Sequence, residues 1–120
     1  MPFKPLLTEL VSNVPGATGA IFLAADGEAV QWHANSDEAR LRLRAAYAGV
    51  ILDACRNLAR NSNTGELHNL VVQFQGATLV VQWVGDGYFV VLELDPHSNI
   101  AEAVHKLKPV AEKLLAEIEA

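Results

Sequence analysis

The stretch LHNLVVQFQGATLVVQWVGDGYFVVLEL, residues 67–94, decides how this chain folds. Gly76 and the triplet Gly85, Asp86 and Gly87 cut it into three runs rich in Val, Leu, Phe, Tyr and Trp, the pattern of an antiparallel meander with tight turns. In the second run Leu79, Val81 and Trp83 alternate with Val80 and Val84. In the third, Tyr88, Val90, Leu92 and Leu94 alternate with Phe89 and Val91. Strands apolar on both faces belong inside a sheet covered on both sides. The first run is different, because Leu70, Val72 and Phe74 alternate with Val71, Gln73 and Gln75. Its wetter face places it at an edge.

Working upstream, the segment GAIFLAADGEAVQWH, residues 19–33, holds two further apolar runs around Asp26 and Gly27, a pair suited to the positive backbone dihedrals of a hairpin turn. Before it, Leu6, Leu7, Leu10, Val11 and Val14 recur at helical spacing and stop at Pro15 and Gly16, which predicts a helix over 6–13. Asn35, Ser36 and Asp37 offer N-cap side chains to a long helix over about 37–61. After the meander, Asn99 and Glu102 have capping-box spacing, and Ile100, Val104, Leu107, Ala111, Leu114, Leu115 and Ile118 line one side of a last helix. Pro109 should kink that helix near His105 or leave one carbonyl without a donor. The order is α-β-β-α-β-β-β-α, an α/β chain with a five-stranded antiparallel sheet and helices on both faces.

With 120 residues the chain is expected to form a single domain with a sizeable core. Its formal charge of -5 argues against a nucleic-acid partner, whose phosphates call for a basic face. The N-terminal MPFKPLLTEL has two prolines and no long apolar run, so neither a signal peptide nor a membrane anchor is expected. A lone cysteine, Cys55, cannot close an internal disulfide and reads as a thiol of a reducing compartment. A cytoplasmic location follows as an expectation.

The long helix carries two apolar stripes. At about 100° per residue, Leu43, Tyr47, Val50, Ile51, Ala54 and Leu58 fall on one, and Leu41, Ala45, Ala48, Leu52, Cys55 and Ala59 on the next. Together they exceed the arc that a helix lying on a single sheet has to bury. The second stripe is rich in small residues, so it should accept a close helix neighbour. Either another helix of the same chain or the matching helix of a second copy could sit there, and the second copy is the favoured reading. Five arginines, Arg40, Arg42, Arg44, Arg56 and Arg60, lie on the same helix and fit either the fringe of an interface, where arginine is enriched, or a solvated face.

Signatures of catalysis are missing from the pattern. His33, His68, His97 and His105 are scattered without metal-ligand spacing, the Gly-rich segments lack a phosphate-loop lysine, and no serine stands in a nucleophile elbow. No cofactor and no metal is expected. Trp32 and Trp83 could flank a small ligand, although strand tryptophans more often serve a core or an interface.

Several signatures in sequence order resemble the roadblock (dynein light chain) family, and the resemblance spans nearly the whole chain. They are Val14, Pro15 and Gly16 followed by Gly19, Ala20 and Ile21; the hairpin pair Asp26 and Gly27; Leu43, Ala45 and Ala46 in the long helix; and Asp86, Gly87 and Tyr88 through Leu92. The resemblance implies a profilin-like sandwich that forms a homodimer, with long helices side by side and the third strands joined across a twofold axis. It implies a non-enzymatic platform or regulator for a small Ras-like GTPase, in stand-alone bacterial forms one that stimulates GTP hydrolysis. On this reading Leu41, Ala45, Ala48, Leu52, Cys55, Ala59, Val71, Gln73 and Gln75 form the dimer interface, and Arg40, Arg42, Arg44 and Arg56 a partner-binding rim. A small-molecule sensory domain and a structural assembly subunit are the alternatives.

Overall fold

The computed structural model describes residues 2–120. Its elements are α1 (Phe3–Asn13), β1 (Ala17–Ala24), β2 (Ala29–Ala34), α2 (Glu38–Ser62), β3 (Asn69–Gln73), β4 (Thr78–Gly85), β5 (Tyr88–Leu94) and α3 (Ile100–Ile118). The five strands form one antiparallel sheet in the order β2-β1-β5-β4-β3. The doubly apolar runs are central, and β3 is an edge, as its alternation requires. One core cluster lies under α1 and α3 and contains Phe22, Val80, Val90 and Leu92; the other lies under α2 and contains Ile21, Val81, Phe89 and Val91.

Local chemistry sets the element ends. The Asp37 side chain accepts from the Arg40 N–H at 3.1 Å at the start of α2, and Asn63, at φ 57, closes its other end. Asn99 accepts from the Glu102 N–H at 3.0 Å and opens α3. That helix runs through Pro109, which has no N–H to give the His105 carbonyl. Helix α1 begins at Phe3, earlier than its apolar spacing suggests. Pro5 is tolerated in the first turn, where an N–H lacks an intrahelical acceptor, and the Phe3 ring packs 5.1 Å from that of Phe22. At the other edge, β3 stops at Gln73, so Phe74 and Gln75 belong to the turn before Gly76.

The helices do not cover the sheet evenly. Helix α2 packs on β2, β1 and β5, and α3 on β4 and β5. The α2 side of β3, which carries Leu70 and Val72, is left half-buried beside a groove.

Candidate functional site

A buried carboxylate fixes how α2 sits on the sheet. Glu93 of β5 pairs in register with Leu79 and Gly19 on the α2 face, where its side chain is 4 % exposed. Its Oε2 accepts from Arg44 Nη1 at 2.8 Å, and its Oε1 accepts from Thr18 Oγ1 at 2.7 Å and Ser36 Oγ at 3.2 Å. A carboxylate out of water needs such donors. Farther along, Gly49 faces Phe89 so closely that a Cβ there would lie 2.8 Å from the Phe89 ring. At this point helix and sheet are in near contact, and a side chain at position 49 would displace the Phe89 ring.

This overturns part of the expected dimer interface. Leu41, Ala45, Ala48 and Leu52 are at most 2 % exposed and pack against the chain's own sheet. The small-residue stripe does allow close approach, but what approaches is the sheet. Cys55 and Ala59 are half-buried on the same side. Val71, Gln73 and Gln75 are exposed, and Gln75 lies beyond the end of β3.

The other stripe of α2 is the one that faces outward. Leu43, Tyr47, Val50 and Leu58 are each 60–68 % exposed, with Ile51 beside them at 41 %. Isolated exposed apolar residues are ordinary, whereas a contiguous row of large ones marks an interaction surface. Leu43, Tyr47 and Ile51 also line a groove of about 420 Å³ whose opposite wall is Val72, Phe74 and Ala77, and Phe74 is itself 56 % exposed. The apolar surface thus runs from α2 onto the β3 edge.

The two sheet edges differ. On β2 the Trp32 carbonyl accepts from Lys4 Nζ and the Trp32 N–H donates to Gln31 Oε1, so the outer backbone is occupied at its middle. On β3 the Phe74 N–H donates to the Ala77 carbonyl and the His68 carbonyl accepts from Trp83, which turns alternate residues toward β4. By that alternation the N–H and C=O groups of Asn69, Val71 and Gln73 point outward with no strand beside them among the described residues. An open edge of this kind is a template for another strand.

The arginines expected at a rim separate into two kinds. Arg44 is tied to Glu93, and Arg40 lies 4.0 Å from Asp37. Arg42 instead sits 4.7 Å over the Trp32 ring and Arg56 3.6 Å over that of Trp83. The two tryptophans line separate open hollows and do not converge on one ligand site. No group of three or more His, Cys, Asp or Glu poised for a metal occurs among the described residues. No described helix is long and apolar enough to cross a membrane.

Comparison with known proteins bears on this geometry. The Roadblock/LC7 domain family matches residues 4–93. The chain belongs to the Roadblock/LC7 family. A Roadblock/LC7 domain from Streptomyces avermitilis superposes on this roadblock chain with a TM-score of 0.87 at 21 % identity, covering 98 % of both. Myxococcus xanthus MglB gives 0.87 at 14 % identity, covering 99 % of this chain and 96 % of its own. MglC from the same organism gives 0.70 at 28 % identity, covering 98 % and 99 %. A search of curated proteins finds no match. The features that sequence reasoning missed in this roadblock chain are the Glu93 anchor and the outward identity of the Tyr47 stripe. Glu93 carried a legible signal, since it shares the parity of Phe89 and Val91 in a strand with no wet face.

Proposed function

We propose that the chain is a non-catalytic, homodimeric regulator that binds a small Ras-like GTPase in the cytoplasm. The observation that carries the reading is the row Leu43, Tyr47, Val50, Ile51 and Leu58, continuous through the groove with Phe74 and the open β3 edge. A twofold axis beside Val71 would let two β3 strands pair and two α2 helices lie side by side, covering the apolar row and the edge together. Val71 and Gln73 would then sit at the strand junction, with Gln75 and Phe74 at its ends. Membership in the roadblock family supports a GTPase as the partner. A purely structural subunit would use the same dimer, so the partner decides between the two. The sensory alternative would need a ligand hollow other than one shared by the tryptophans, because Trp32 and Trp83 border different hollows.

The test is to mix the purified protein with a Ras-like GTPase from the same source, loaded with GDP or a non-hydrolysable GTP analogue, and to measure complex mass and GTP turnover. Binding that prefers one nucleotide state supports a regulator, and faster turnover adds stimulation. No complex with either state would remove the GTPase reading.

A further inference from the structure

Helix α2 is a cationic element in an acidic chain. It carries all five arginines and only two acids, Glu38 and Asp53, while the four lysines lie on α1 and α3 in a chain of net charge -5. Ion pairing divides by flank. At about 100° per residue, Arg40 and Arg44 border the outward apolar stripe, and these are the two that have carboxylate partners, Asp37 and Glu93. Arg42, Arg56 and Arg60 fall on the opposite flank, and none of them has a carboxylate within 4.0 Å among the described residues.

The arginines without ion pairs are nonetheless held in place. A tryptophan beneath Arg42 and another beneath Arg56 hold each guanidinium over a ring, which restrains its plane while leaving its N–H groups able to donate. Arg60 donates to Asn57 Oδ1 at 2.6 Å, a neutral acceptor. Arg56, Arg60 and Trp83 then converge with Ala59 and Leu67 on a hollow of about 440 Å³. At about 100° per residue both acids of α2, Glu38 and Asp53, share this flank, Glu66 lines the hollow and Glu28 borders the flank, yet none of the four comes within 4.0 Å of these guanidiniums.

We propose that this flank of α2, centred on Arg56, Arg60 and Trp83, is a docking surface for an acidic segment of a partner protein. Carboxylates of the segment would pair with the two guanidiniums, and an adjoining apolar side chain would rest on Leu67 and Ala59. Arginine and tryptophan are the residue types that most often dominate binding energy when desolvated by a partner. A nucleic acid is disfavoured as the occupant because its phosphate backbone calls for an extended basic face, whereas only Arg56 and Arg60 converge on this hollow. The surface is independent of the dimer described above, in which the second copy would take the Tyr47 stripe and leave this flank open.

The test is fluorescence anisotropy with a short fluorescein-labelled peptide of Glu, Asp and Leu, compared with its Gln and Asn counterpart, with solution mass measured in parallel. The acidic peptide should bind saturably, and the uncharged one at least about tenfold more weakly. The double variant Arg56→Gln and Arg60→Gln should lose at least about tenfold in affinity, while Lys108→Gln, exposed on α3, binds like wild type and all proteins keep the same mass and melting curve. Absence of saturable binding, or equal binding by the double variant, would overturn the proposal. So would displacement of the peptide by millimolar inorganic phosphate, which would mark a small-anion site, or tighter Arg56-dependent binding of a single-stranded oligonucleotide. A single-chain mass with Arg56-dependent peptide binding removes the dimer and keeps this surface; a two-chain mass without peptide binding does the reverse.

Discussion

Leu92 lies at the centre of β5, fully buried under α1 and α3. Truncation to alanine there leaves a cavity in a close-packed core, so Leu92→Ala should lose about 2–5 kcal/mol in chemical denaturation. Glu93, the next residue, makes the opposite demand on the other face. Arg44→Ala would leave a buried carboxylate with only the Thr18 and Ser36 hydroxyls to satisfy it. Because removing one partner of a buried pair costs about 3–5 kcal/mol, and the Arg44 side chain is 36 % exposed, a loss near the lower end of that range is expected, measured by the same denaturation. A second contrast separates folding from assembly. Ala48→Glu places a charge against the chain's own sheet and should unfold the protein, whereas Val50→Glu, at a position 68 % exposed, should leave the melting curve of the single chain intact and halve the solution mass. Equal behaviour of the two variants would contradict the assigned orientation of α2.

At the scale of elements, order and type were legible because each signal was local: Val-rich runs cut by glycines, Asp26 and Gly27 at a hairpin, Asp37 and Asn99 as caps. The rotation of α2 was not. Both of its stripes are apolar, and stripe composition favours the wrong one for the exterior, since small residues signal close approach without naming the neighbour. What settles the rotation is tertiary: Glu93 recruits Arg44, and Phe89 fills the space above Gly49. The exposed apolar surface was therefore legible as to helix and edge strand, but not as to helix face. The edge strand supports its own prediction. Val71 points its N–H away from β4, so Val71→Pro removes no ladder hydrogen bond within the chain. Far-UV circular dichroism should stay close to wild type while the mass at low concentration falls toward one chain. A variant that remains fully dimeric would show that β3 strands do not pair through Val71.

At the scale of the whole molecule, one surface of the sheet is closed by α1 and α3, and the other is only partly closed by α2. The apolar groove beside β3, the outward stripe of α2 and the unpaired edge all lie on the side that a second copy would complete. Burial of such a row would add favourably to association at roughly 25 cal/mol per Å² of apolar surface, less the cost of fixing two bodies together. The most direct measurement is the mass of the purified protein by light scattering across a concentration series at micromolar levels. A mass of two chains that falls to one in Val50→Glu is the predicted result. A mass of one chain for the wild type throughout the series would contradict the dimer and leave the outward stripe to some other partner.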